Sequence, residues 1–127
     1  MALDDNISDN SYVLGRLFAV WEHIQEEANR GINATIKDKY FDSACATPAR
    51  IFPILQKLSG HHLRKLETGK KLYFEKQLTH LMGKLDATTS LPTSFRLEEQ
   101  GMFILGYYHQ TQERYTKKED KENVGNN

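Results

Sequence analysis

Apolar residues recur at three- and four-residue steps along most of this chain. The first run, Leu14, Leu17, Phe18, Trp21, Ile24 and Ala28, marks an amphipathic helix. Tyr12, Val13 and Val20 widen its apolar face, so it is expected to be the most buried element. Ser8, Asp9 or Ser11 supplies the cap and Gly31 the C-terminal stop. A shorter helix is predicted over residues 33–44, capped by Asn33, with Ile36, Tyr40 and Phe41 on one side. Thr47-Pro48 reads as a helix start, a hydroxyl cap followed by proline at the first position. From there Ile51, Leu55, Leu58, His62 and Leu66 share a face, and Pro53 predicts a kink or a delayed start.

Thr68-Gly69 breaks that run, and a fourth helix over residues 70–85 is expected to bury Phe74, Leu78, Leu81 and Leu85. Residues 86–94 are loop-like in composition. The last helix opens near residues 95–97, with Ser94 as its cap and Glu98 and Glu99 at its positive end, and runs to about Tyr115. Phe103, Ile104, Tyr107 and Tyr108 form its expected inner side. Gly101 and Gly106 inside it each cost about 1 kcal/mol relative to alanine, which predicts a close backbone neighbour at both. No strand-like alternation is convincing. The expected fold is all-α, a compact bundle of four to five helices over residues 1–115, with a disordered charged tail over residues 116–127.

The 127 residues carry 17 basic and 17 acidic side chains, a net charge of zero. That neutrality counts against nucleic acid only until the charge is divided by segment. Residues 1–49 have net charge −4 and residues 50–84 net +6, with −2 over residues 85–112 and balance beyond. Solvent screens distant charges over about 8–10 Å, so the central block sets up its own field. At 100° per residue Arg50, Lys57 and Arg64 drift by only about 20° per heptad along one helix, with His61 among them. On the next, Tyr73, Lys76, His80 and Lys84 fall within about 80°, nearly opposite the apolar face. Arg64, Lys65, Lys70 and Lys71 gather at the turn between. Cations at this spacing with an imidazole and an aromatic ring suit a phosphodiester backbone with occasional stacking. A plain solvated face is the competing reading. It is opposed by the one-sidedness of the block, since solvated faces mix signs.

Catalytic chemistry is not indicated. Cys45 stands alone, which excludes an internal disulfide and a multi-thiolate metal site, and an inert buried thiol is expected. His23, His61, His62, His80 and His109 fit no zinc or di-iron spacing, and no glycine-rich phosphate loop follows a strand. No enzyme activity, cofactor, metal or small-molecule substrate is expected. No secretory signal or membrane-length apolar run is present, so a bacterial cytoplasmic protein without membrane contact is expected.

Several segments in order carry a resemblance. They are Gly31-Ile-Asn-Ala-Thr-Ile-Lys37 with Tyr40-Phe41, Ala44-Cys-Ala-Thr-Pro48, Phe52-Pro53, His61-His62-Leu63 and Lys65-Leu66-Glu67. Leu97-Glu-Glu-Gln-Gly101 and Leu105-Gly-Tyr-Tyr-His-Gln110 complete the set. Over roughly residues 11–118 the chain resembles the C-terminal region of the type I-C CRISPR large subunit. That region is also made as a separate small subunit of the type I-C Cascade surveillance complex, by translation starting inside the large-subunit gene. Cys45, Gly60 and Gly83 depart from the pattern, and the two glycines are expected to soften their helices.

The resemblance implies a non-catalytic helical bundle packed in several copies beside the large subunit and the backbone subunits that hold the CRISPR RNA. It implies a grip on target DNA opened by the guide, including the displaced strand, while base pairing and protospacer-adjacent recognition elsewhere choose the sequence. It assigns no individual DNA contact. From helix geometry alone the candidates are Arg50, Lys57, Arg64, Lys65, Lys70, Lys71, Tyr73, Lys76, His80 and Lys84. The leading acids Asp4, Asp5, Asp9, Glu22, Glu26 and Glu27 are expected to face a neighbouring subunit or solvent. Two alternatives stay open: a structural packing subunit whose basic face meets protein or guide RNA, and a free-standing helical DNA-binding regulator.

Overall fold

The computed structural model describes residues 4–31, 35–86 and 90–125, with side chains as far as residue 116. Five helices follow in order: α1 Asn10–Ala28, α2 Ile36–Ala46, α3 Pro48–Arg64, α4 Thr68–Met82 and α5 Leu97–Gly125. No strand occurs among the described residues, so the fold is an all-α bundle. The expected boundary at Tyr115 falls inside α5, and the side chains of most of the predicted tail lie outside the described residues.

Helix α1 is the axis of the molecule. Every residue from Ser11 to Glu22 is buried, as its nearly all-round apolar sequence requires. Helices α3, α4 and α5 all pack on α1, while α2 bridges α3 and α5. The Phe18 ring meets Phe41, Phe103 and Tyr107 edge-on at centroid distances of 5.4, 6.0 and 5.8 Å, and Trp21 lies 5.5 Å from Phe52. Such edge-to-face contacts add to the area these rings bury.

The α1–α5 crossing depends on two glycines. A Cβ on Gly106 would lie 2.0 Å from the Tyr12 carbonyl oxygen, and one on Gly15 2.0 Å from that of Phe103. The backbones therefore touch reciprocally. Gly101, expected to do the same, has nothing within 4 Å of such a Cβ. Ile104 and Tyr108 also turn outward, at 37% and 50% exposure, because Phe103, Gly106, Tyr107 and Gln110 take the inner face and the two lie about 100° round from it.

Helix ends show further differences. Asp9 caps α1, its carboxylate accepting from the Ser11 N–H at 2.9 Å. Thr35 caps α2 in a reciprocal box with Asp38, whereas the expected Asn33 lies outside the described residues. Thr47 precedes α3 but does not cap it: its hydroxyl donates to the Ser43 carbonyl at 3.0 Å, closing the end of α2. One residue shared by two helices has one hydroxyl to give. Pro53 neither delays nor ends α3, and Gly69 lies within the first turn of α4 instead of before it. Gly60 is likewise carried inside α3, and Gly83 forms the C-cap of α4.

Candidate nucleic-acid interface

The α3 column is set by its own amphipathicity. Ile51, Phe52, Leu55 and Ser59 are buried toward the bundle, which leaves Arg50, Lys57, His61 and Arg64 exposed on another face. None of these four makes an ion pair among the described residues. At the turn, Lys65 donates to Asn29 Oδ1 at 3.3 Å and Lys70 to Glu27 Oε2 at 3.1 Å. Lys71 is half-buried without an acidic partner among the described residues.

On α4, Phe74 and Leu81 point into the bundle, and the expected basic side lies along a groove facing α5. That groove, of about 520 Å³, is lined by Tyr73, Lys76, Gln77 and His80 of α4, Arg16 of α1 and Gln110 and Glu113 of α5, with Asp5 at its end. Tyr73 is 47% exposed, its hydroxyl accepting from Gln77 Nε2 at 3.1 Å. Lys76 is exposed and has no acidic partner among the described residues. His80 Nε2 lies 3.0 and 3.2 Å from the two Asp5 carboxylate oxygens. Lys84, just past α4, donates to the Asp5 carbonyl at 2.6 Å, and its Nζ lies 3.5 Å from the carboxylate. Hydrogen bonding from His80, with Arg16 assisting, holds the Asp5 carboxyl down at about 2 against its slight desolvation.

Seven of the ten predicted residues thus fall in two strips, and Lys65, Lys70 and Lys71 gather around the turn between α3 and α4. Tyr73, Lys76 and His80 share the α4 groove, with Lys84 at the Asp5 end. Arg50, Lys57 and Arg64 stand apart on α3, which packs on α1 and not along α4. Three of the six leading acids turn on the chain's own basic groups. Asp5 engages Arg16, His80 and Lys84; Glu27 engages Lys70 and Arg30; Glu26 pairs with Arg114 at 2.8 Å. Glu22 is buried and accepts a 2.5 Å hydrogen bond from the Tyr107 hydroxyl. Burial raises the Glu22 pKa against that bond, and burial with the carboxylate raises that of Tyr107.

Sequence reading missed Arg16, a buried guanidinium bonded to Gln110 Oε1 at 2.8 Å and Asp5 Oδ1 at 3.0 Å. Its signal was present: one cation stands inside the apolar run from Tyr12 to Trp21. The remaining titratable groups among the described residues stand separately. Cys45 is buried, its thiol 3.7 Å from the Gln100 carbonyl, and burial and then Asp42 push its pKa up. His109 Nδ1 lies 2.8 Å from the Tyr12 hydroxyl. Burial pushes His23 down to about 4, so its 3.8 Å approach to Glu27 is not an ion pair at neutral pH. Burial also lowers the His62 pKa, with Lys65 and His61 adding to the effect. Among the described residues no three His, Cys, Asp or Glu side chains are grouped to hold a metal ion. No helix among them is long and apolar enough to cross a membrane.

A search of curated proteins finds no match to the sequence. A family model does match, over residues 1–115, covering the whole of α1 to α4 and α5 as far as Tyr115. The chain belongs to the family described as CRISPR-associated protein (Cas_Csd1).

Proposed function

We propose that this protein is the non-catalytic small subunit of the type I-C CRISPR RNA-guided surveillance complex, Cascade, equivalent to the C-terminal region of the large subunit and made by internal translation. In this reading it is a single helical domain acting in the bacterial cytoplasm, needs no cofactor, and is held beside the large subunit and the backbone subunits that carry the CRISPR RNA. It grips single-stranded DNA of the R-loop by sugar and phosphate without reading bases. The observation that carries the reading is the run of cations on α3 and α4 without acidic partners among the described residues: Arg50, Lys57 and Arg64 on α3, and Lys71 and Lys76 on α4, with Lys65 at the turn bonded only to Asn29. Arg16, Arg30, Lys70, Lys84, Arg96 and Arg114 are matched with the chain's own acids, whereas this run, like Lys37 and Lys39 on α2, leaves positive charge directed outward. Weak contacts of this kind become effective through several aligned copies.

The test is charge reversal of Lys57, Arg64, Lys76 and Lys84 to Glu in the co-expressed complex. Assembly is expected to proceed normally, with target-DNA affinity down by tenfold or more and a shallower salt slope, about 0.7 lost per phosphate contact removed. Unchanged DNA affinity would sink the DNA-gripping reading.

A second reading, packing between copies, is favoured by α5. Leu97, Ile104, Tyr108 and Tyr115 fall on one side of that helix, all of them exposed, Leu97 at 84%. No position of the stripe itself is charged, while Lys37 lies 5.2 Å from the Tyr108 ring and Arg114 5.3 Å from that of Tyr115, so the same stripe on a second copy would meet an apolar and aromatic surface edged by cations. Replacing Ile104 and Tyr108 with Glu should leave the fold intact and abolish concentration-dependent association in sedimentation equilibrium. Association that persists in this variant would rule the surface out.

A further inference from the structure

Arg16 is the anomalous residue of α1. Its side chain is 3% exposed in the core helix, yet its charge is met by a single carboxylate, that of Asp5. The other partner, Gln110, is neutral. Asp5 belongs to the non-helical segment before α1, and 54% of its side chain is exposed. A buried cation is thus balanced by an acid at the edge of solvent.

The same carboxylate is met by His80, and Lys84 reaches it from the other side. Two cations, Arg16 and Lys84, and the His80 imidazole, from two regions of the chain, converge on one small anion, at the end of a groove that continues past Lys76 and Tyr73. A phosphodiester presents the same single charge and two non-bridging oxygens, which a guanidinium binds in the same fork geometry as a carboxylate. Exchange of one anion for the other leaves Arg16 paired throughout, so the core avoids an isolated buried charge.

We propose that Arg16, His80 and Lys84 form a phosphate site for single-stranded nucleic acid, occupied by the Asp5 carboxylate in the free chain and taken by a backbone phosphate when a strand enters the α4–α5 groove. This rests on the DNA-gripping reading above and gives it an atomic site with a built-in competitor. Glu113 on the α5 wall and Lys76 on the α4 wall are the other charged groups along the groove, and they set the strand's path between them.

The test uses the full chain with Asp5→Asn, the charge-retaining Asp5→Glu, and Asp5→Asn combined with Lys84→Gln. A labelled oligothymidylate strand is expected to bind Asp5→Asn at least about threefold more tightly than the parent, with a steeper salt slope. Asp5→Glu should match the parent, and the double variant should lose the gain. Inorganic phosphate, against chloride at equal ionic strength, should raise the melting temperature of Asp5→Asn more than that of the parent. This second readout works even if the variant folds poorly without an anion. Absence of phosphate protection overturns the site, whatever the α3 cations do. Phosphate protection without a gain in strand binding overturns its assignment to nucleic acid. Failure of the broader reading shows elsewhere, as unchanged DNA affinity in the fourfold charge reversal of the complex.

Discussion

His23 shows how one residue's surroundings fix its charge. It stands in α1 with its ring edge-on to Phe74, 4.8 Å between centroids, and near Arg114, Lys70 and Glu27. Burial and the Arg114 charge push its pKa from 6.5 to about 4. Between pH 4 and pH 6.5 the folded chain therefore holds a largely neutral imidazole where the unfolded chain holds a largely protonated one. Stability from this site is present above pH 6.5 and is lost as pH falls toward 4. The full loss, reached below pH 4, is on the order of 3–4 kcal/mol, reckoned at about 1.4 kcal/mol per pKa unit. His23→Gln, which removes the titration, should flatten the difference in urea-unfolding free energy between pH 7 and pH 4. An unaltered pH profile would show that the ring is not held neutral. The sequence alone places His23 among three glutamates, Glu22, Glu26 and Glu27, surroundings that favour a charged ring. The structure reverses this, because burial of the ring and then the Arg114 charge outweigh the pull of Glu27 toward a charged ring, and Glu22 turns away to Tyr107.

Element packing separates residues that look alike in sequence. Gly101 and Gly106 lie in the same helix and carry the same propensity cost, so propensity alone assigns them the same role. Only the crossing with α1 distinguishes them, by placing Tyr12 against Gly106 and open space beside Gly101. Gly106→Ala or Gly15→Ala should force the two backbones apart and destabilise the fold by about 3 kcal/mol or more, as overpacked core sites do. Gly101→Ala should instead gain up to about 1 kcal/mol from helix propensity. Parallel thermal melts of the three variants check both signs. The helices themselves were legible because three- and four-residue steps depend on local sequence. The choice of cap at Thr47 and the outward turn of Tyr108 were not, since both depend on which neighbour uses the group.

At the scale of the whole molecule, the basic strips were legible one helix at a time but not as a pair. Their mutual placement depends on α3 and α4 both packing on α1. Asp5, which ties down the end of the α4 strip, lies 75 residues from His80 in the chain. No reading of local spacing reaches that far. If both strips grip the same strand from separate places, their losses should add. Reversing Arg50, Lys57 and Arg64 to Glu, and separately Lys76 to Glu, should give falls in log affinity that sum in the combined variant to within about 0.5 kcal/mol. A combined loss well short of the sum would mean that the strips share their contacts, against the separation of α3 from α4.

The central position of α1 also has a consequence in time. Its covering partner is the last helix, with Tyr12 meeting His109 across 97 residues and Arg16 meeting Gln110 across 94. At about 5–20 residues per second of synthesis, the most apolar helix of the chain leaves the ribosome roughly 5–20 s before the surface that encloses it. During that interval Phe18 and Trp21 are held only by helices that arrive one at a time. A newborn chain of this design spends its synthesis as a client for whatever shields exposed apolar surface, and becomes self-sufficient only when its final helix closes on its first.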